Sequence, residues 1–156
     1  MLTAHLPSGY LLARSLPPGI PALMPVALVG AVFPDIDMLW FHLVDNRAIH
    51  HHKYWVHVPF FWLVVAAFTL PVAWKTGWLR TALVFFAAIL LHLLLDTIGG
   101  GVMWGAPVSD HLYELVTVPA TYDHWVISFV LHWTFLAELA IWAAAVALWF
   151  QRKRVT

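Results

Sequence analysis

Apolar residues occupy the chain in long runs, and polar residues gather in the shorter stretches between them. Three runs, Val56 to Trp74, Leu79 to Ile98 and Trp125 to Phe150, are each long enough at about 1.5 Å per residue to cross the hydrocarbon core as helices. Two shorter apolar pieces, Met1 to Leu16 and Ile20 to Phe33, precede them. The sequence Leu16-Pro17-Pro18-Gly19 separates the two, and its prolines and glycine stop one helix and turn the chain. The expected fold is all-α: an integral membrane bundle of three long transmembrane helices plus a short N-terminal helical hairpin, forming one membrane-embedded domain over residues 1–156. Trp40, Tyr54, Trp55, Trp74, Trp78 and Trp125 fall near the ends of these runs, as interfacial anchors do, although core aromatics would look the same.

Composition supports the membrane reading. Of 156 residues 62% are hydrophobic and 10% are charged, with a mean hydropathy of +0.81, whereas soluble domains carry about 25% charged residues. The length allows one small bundle and no separate soluble catalytic module. Met1 to Tyr10 has no Lys or Arg ahead of its apolar residues and no clear small-residue cleavage site, so these residues read as part of the fold. The formal net charge is zero and no basic stretch interleaves with aromatics, so direct nucleic-acid binding is not expected. Cysteine is absent, which leaves nitrogen and oxygen as the ligands of any metal.

Lys and Arg set the expected orientation. Arg14, the pair Lys75 and Arg80, and the closing Arg152, Lys153 and Arg154 fall on one side, which reads as cytoplasmic. The other side receives Pro34 to Trp55 and Gly99 to His124, with only Arg47 and Lys53 as positive charges. That non-cytoplasmic face thereby collects Asp35, Asp37, His50, His51, His52, Asp96, Asp110, His111, Glu114, Asp123 and His124. His5 returns to the same face if the hairpin forms, because Arg14 marks the far end of its helix.

Several of these residues could carry chemistry. His92 and Asp96 are four apart in an apolar run, so they share one helical face and can grip one metal or bridge two. Such groups cost several kcal/mol in hydrocarbon unless paired or metal-bound, although a simple His92 to Asp96 hydrogen bond would also satisfy them. Pro34-Asp35-Ile36-Asp37 sets two carboxylates near a helix end, as hard ligands, a general base or merely a solvated cap. Neutral imidazole is the usual ligand for zinc, and among His50, His51, His52 and His57 the pair His52 and His57, bracketed by the start of a helix, is favoured, with His51 next. His111, Glu114, Asp123 and His124 could close the site or simply be solvated loop residues. His132 and Glu138 lie within the last run, where they would face the same cavity, serve packing specificity or line a proton path. Gly99-Gly100-Gly101 gives a flexible helix exit open to close backbone approach, or a plain C-cap. No nucleotide-binding loop and no serine nucleophile elbow occurs.

His5, then Pro34-Asp35-Ile36-Asp37, then His52 and His57, then His92-x-x-x-Asp96, in this order, resemble the YdjM-like family of LexA-binding, inner-membrane-associated proteins described as metal-dependent hydrolases. The resemblance spans most of the chain. That family shows His-Arg-Gly-x-Thr-His as its third element, where this chain has His52-Lys53-Tyr54-Trp55-Val56-His57. The two histidines keep their spacing while Arg, Gly and Thr are replaced. More remotely, the order of Asp, His and His-x-x-x-Asp is similar to zinc-dependent phospholipases C and related nucleases.

Together these readings imply a bacterial inner-membrane hydrolase in which His5, Asp35, Asp37, His52, His57, His92 and Asp96 hold one or more divalent ions, zinc foremost. Water activated there would lose its proton to Asp37 or a neighbouring acid and attack an ester or phosphoester, with His57 or His111 protonating the leaving group. A membrane lipid is the favoured specific substrate, since the site falls at headgroup level, and a small-molecule ester remains open. The alternatives are a metal or proton transporter or sensor using His132 and Glu138, and a non-enzymatic scaffold for a protein partner.

Overall fold

The computed structural model describes Met1 and residues 3–153, without the side chains of Arg152 and Lys153; Arg154, counted above among the cationic residues, lies outside the described residues. The chain forms helices α1 (His5–Ser15), α2 (Leu23–Val32), α3 (Asp37–Leu43), α4 (Pro59–Lys75), α5 (Leu79–Asp96), α6 (Trp125–Val130) and α7 (Phe135–Lys153). Short 3-10 turns cover Pro34–Ile36, His51–Lys53 and Trp55–His57. Among the described residues there is no strand, and Val102 and Tyr113 make an isolated antiparallel bridge.

The N-terminal hairpin forms as its sequence predicts. The chain reverses between α1 and α2 through Gly19 at φ 91°, a conformation that costs a residue without Cβ nothing. Small residues then let three helices close on one another. A Cβ at Gly9 would lie 2.6 Å from the Ala31 Cβ, so α1 and α2 are in backbone contact there. A Cβ at Gly30 would lie 2.8 Å from the Phe85 carbonyl oxygen and 2.9 Å from the Ala88 Cβ, which fixes α2 against α5. The aromatic cluster of Phe33, Trp62, Phe85 and Phe86 fills the space between α2, α4 and α5.

The expectation of three uninterrupted long helices needs correction at two of its runs. Among the described residues α5 alone is long and apolar enough to cross a membrane, and α2 with the Pro34–Leu43 segment, bent by 52°, makes a second span if the pair is taken as one. Val56 and His57 belong to a 3-10 turn, and α4 starts only at Pro59, whose ring has no N–H to contribute and suits the first helical turn. The run from Trp125 breaks between α6 and α7, where His132 Nδ1 lies 2.9 Å from the Thr134 hydroxyl and accepts from Thr134 N at 3.4 Å. These side-chain bonds lie just ahead of α7 and compete with a continuous helix. Leu63, Phe68, Trp74 and Leu136 each stay more than half exposed, which is the surface a lipid environment accepts.

Candidate metal centre

Seven elements meet at one end of the bundle. The last turn of α5 presents His92 and Asp96, both fully or almost fully buried. The end of α2 brings the Ala31 carbonyl, and the Pro34–Ile36 turn with the start of α3 brings Asp35 and Asp37. The two 3-10 turns ahead of α4 bring His51, His52 and His57, and α1 begins with His5. The segment after α5 folds back on it through Leu115 N to Thr97 O at 2.8 Å and Val116 N to Ile98 O at 3.1 Å, holding the glycine run in place.

Asp96 Oδ2 is the common point. It lies 3.0 Å from His92 Nε2, 3.5 Å from His57 Nε2 and 3.6 Å from His52 Nε2. The Nε2 atoms of His57 and His92 are 3.2 Å apart. Each of these rings is held by its other nitrogen. His52 Nδ1 donates to the Gly101 and Gly100 carbonyls at 2.7 and 2.9 Å, His92 Nδ1 donates to the Ala31 carbonyl at 2.8 Å, and His57 Nδ1 donates to Asp37 Oδ2 at 2.6 Å. Carbonyls only accept, so His52 and His92 carry their protons on Nδ1 and aim bare Nε2 lone pairs inward. Buried Asp96 Oδ2 has no hydrogen-bond donor among the described residues. Lone pairs and a carboxylate oxygen facing one another require a proton or a cation between them.

Burial pushes His52 down to about 2 and His51 down to about 4, so both are neutral near pH 7. Burial also opposes charge on His57, but its hydrogen bond to Asp37 and the nearby carboxylates of Asp37 and Asp96 outweigh that and raise it to about 9. In the absence of a metal, His57 therefore holds the site's proton.

His5 approaches from the opposite side of the carboxylate. Its Nε2 is 3.2 Å from Asp96 Oδ1, and its ring stacks on His92 with centroids 3.8 Å apart. The Met1 amino group also meets Asp96 Oδ1, at 2.7 Å. Three overlapping triplets can hold a metal ion: His51, His52 and His57; His5, His92 and Asp96; and Asp35, His57 and His92.

A family model for YdjM inner membrane proteins matches residues 1–155. The chain belongs to the YdjM inner membrane protein family. No match emerges among the curated proteins or the solved structures. All the converging residues of this YdjM family member fall inside the matched span.

The remaining sequence-predicted residues sit as follows. Asp35 lies at the rim, 37% exposed, with Oδ1 3.8 Å from His92 Nε2. Asp37 is buried against His57, and its Oδ1 has no hydrogen-bond partner among the described residues and faces His51 Nδ1 at 4.0 Å. His111 is exposed, donates its backbone N–H to the Ser109 hydroxyl at 3.2 Å and packs edgewise on Tyr113, and none of the candidate metal-binding triplets includes it. Glu114 accepts from Thr117, His124 caps α6, and Asp123 is exposed. His132 pairs with Thr134 just ahead of α7, and buried Glu138 accepts two bonds from Thr3. The residue that sequence reasoning missed is Ala31, whose backbone carbonyl holds His92; Gly100 and Gly101, read as a place of close backbone approach, hold His52 through theirs.

Proposed function

We propose that this YdjM family protein is a membrane-embedded hydrolase that uses a divalent metal to cleave an ester or phosphoester, with a lipid phosphoester as the favoured substrate. The observation that carries this reading is the convergence of His52, His57 and His92 Nε2 on the donor-free Asp96 Oδ2. Ligands of one tetrahedral ion at about 2.1 Å stand roughly 3.4 Å apart. The spacings of 3.0 to 3.6 Å around Asp96 Oδ2 match that separation. Three imidazoles and one carboxylate, with no thiolate, form a donor set that suits zinc.

His52, His57, His92 and Asp96 would hold the ion, and His5, whose Nε2 faces Asp96 Oδ1 and the Met1 carbonyl, would brace the carboxylate from its Oδ1 side. When bound, the ion supplies Lewis acidity that brings a water's pKa toward neutrality. Asp35, the half-exposed carboxylate beside His92, is placed to take the proton from that water and return it to the leaving-group oxygen as the ester bond breaks. Asp37 is committed to His57 Nδ1, so its part is to orient the ring and raise its basicity. This division moves the base from Asp37 to Asp35 and leaves His57 and His111 without a leaving-group role.

Two apolar clefts flank the Asp35-Ile36-Asp37 element and support an amphiphilic substrate. One, of about 350 Å³, runs from Asp35 along Val29, Val32, Phe33, Ile36 and Leu39; the other, of about 410 Å³, lies beside Asp37, Trp40 and Trp55. Arg14, Lys75 and Arg80 lie at the helix ends away from the cluster, which supports a site at the non-cytoplasmic headgroup level with α5 crossing the bilayer. The transporter reading loses support because His132 and Glu138 are engaged with Thr134 and Thr3.

Elemental analysis of the detergent-purified protein, followed by an ester and phosphoester screen that includes phospholipids, tests the proposal. Bound zinc and hydrolysis in the wild type, both lost in Asp96→Asn, are expected. Unchanged metal stoichiometry in Asp96→Asn, or metal flux in proteoliposomes without hydrolysis, would overturn it.

A further inference from the structure

Glu138 is fully buried in α7, away from the converging imidazoles, and the hydrolytic reading gives it no task. Its Oε2 accepts from Thr3 N at 2.7 Å and from the Thr3 hydroxyl at 2.6 Å, and Trp142, one turn further along α7, donates to the same hydroxyl at 3.1 Å. These contacts come just ahead of α1. That helix starts after Ala4 with no side-chain cap of its own, and the carboxylate from α7 grips the residue just ahead of the N-cap, fixing the chain that leads into α1. The positive end of the α1 dipole favours that carboxylate.

The second observation concerns His5, two residues after Thr3. His52, His57 and His92 are each fixed by a hydrogen bond at Nδ1, but buried His5 Nδ1 has no hydrogen-bond partner among the described residues. Its Nε2 faces two acceptors, Asp96 Oδ1 and the Met1 carbonyl, each at 3.2 Å, so its approach to Asp96 and its stacking on His92 depend on where the chain leading into α1 is held. Glu138 holds that segment at Thr3, and the Met1 ammonium on Asp96 Oδ1 holds its other end.

We propose that Glu138 is a positioning residue of the metal centre, a carboxylate on α7 that anchors Thr3 and thereby delivers the His5 imidazole to Asp96. This rests on the metal-binding reading above. It assigns the buried charge of α7 to organisation of the site and makes α1 and α7 a unit on which His5 depends.

A double-mutant cycle on the full-length, detergent-solubilised protein tests it, with zinc affinity read by competition against a chromophoric chelator and Tm read in parallel. Outer partners of metal ligands are worth about 10–100-fold in affinity. Glu138→Ala should weaken zinc about tenfold when His5 is present and less than twofold in the His5→Ala background, while lowering Tm equally in both. Thr3→Val, at an exposed position, removes one of the two bonds to Glu138, together with the Trp142 bond to the same hydroxyl, without opening a buried cavity, and should show the same dependence on His5 if Glu138→Ala does not fold. Equal losses of zinc affinity in both backgrounds would make Glu138 a stability residue and overturn the proposal. A wild type that binds no zinc would instead overturn the metal-binding reading, and this proposal with it.

Discussion

The Nε2 atoms of His57 and His92 stand 3.2 Å apart in the interior, each on a ring whose other nitrogen is committed, to Asp37 and to the Ala31 carbonyl. With neutral rings this contact would oppose two lone pairs, so one proton must occupy it until a metal does. His57, raised to about 9 against the burial that opposes its charge, is the residue that carries it. Zinc binding near pH 7.5 should therefore release close to one proton per ion from this site. His52, held near 2 by burial, contributes none. The apparent affinity should rise about tenfold per pH unit and level off near pH 9. Calorimetry in buffers of different ionisation enthalpy measures the proton count, and a value near zero would mean that His57 is already neutral.

The same proton governs the stability of the metal-free protein. His57 is raised from 6.5 to about 9 on folding, so its contribution is fully present below pH 6.5 and lost as pH rises through 9. Burial depresses His51 and His52 from 6.5 to about 4 and about 2; below pH 6.5 the unfolded chain binds protons that the folded chain refuses. Metal-free Tm should accordingly peak near pH 6.5 and fall on both sides, and saturating zinc should flatten the alkaline fall. A Tm that climbs steadily from pH 6.5 to 9 without metal would contradict the assignment of His57.

Asp37 separates ligand from orienting partner. Asp37→Asn keeps an oxygen near His57 Nδ1 but removes the charge, so zinc affinity should drop by about 10–100-fold with the stoichiometry intact at saturating metal. Asp96→Asn should remove the bound ion. If Asp37→Asn instead lowers the stoichiometry, Asp37 is itself a ligand, as its motif alone suggests.

What could be read from the sequence follows from how local each signal is. His92 and Asp96 share a face by helical spacing alone, and the prolines and glycine at 17–19 announce the hairpin that returns His5 to the site. The anchors of His52 and His92 are backbone carbonyls contributed by other elements, and a carbonyl carries no residue-type signature. The Gly99-Gly100-Gly101 run was legible as a place of close approach, but the group that approaches is His52. The break before α7 escaped because hydropathy averages over Leu131-His132-Trp133-Thr134, where two polar side chains pair with each other inside an apolar run. Glu138 was legible as a buried charge, but its partner Thr3 lies 135 residues away.

Gly100 offers a steric probe of the His52 anchor. A Cβ there would come within 2.5 Å of His52 Cε1 and 3.1 Å of Nδ1, so Gly100→Ala must push the ring off the two carbonyls that orient it. Zinc affinity should fall at least tenfold while helix content stays unchanged. Gly99→Ala, whose Cβ would meet only Val118 at 3.3 Å and the Val116 carbonyl at 3.7 Å, is the milder neighbour and should lose far less. Equal affinities for the two variants would show that the carbonyl bonds to His52 do not matter.

Gly30 tests whether the site depends on the contact between α2 and α5. A Cβ there would meet the Phe85 carbonyl oxygen at 2.8 Å, and a backbone atom in the middle of a packed helix cannot swing aside. Gly30→Ala must therefore push α2 away from α5, at a cost of about 1–3 kcal/mol for overpacking. The next residue is Ala31, whose carbonyl holds His92 Nδ1, so the displacement reaches the site through one peptide unit. Thermal stability and zinc affinity should fall together in this variant, whereas Gly100→Ala should lower affinity with little effect on Tm. A Gly30→Ala protein that loses stability but binds zinc as tightly as the wild type would show that His92 keeps its orientation without the Ala31 carbonyl.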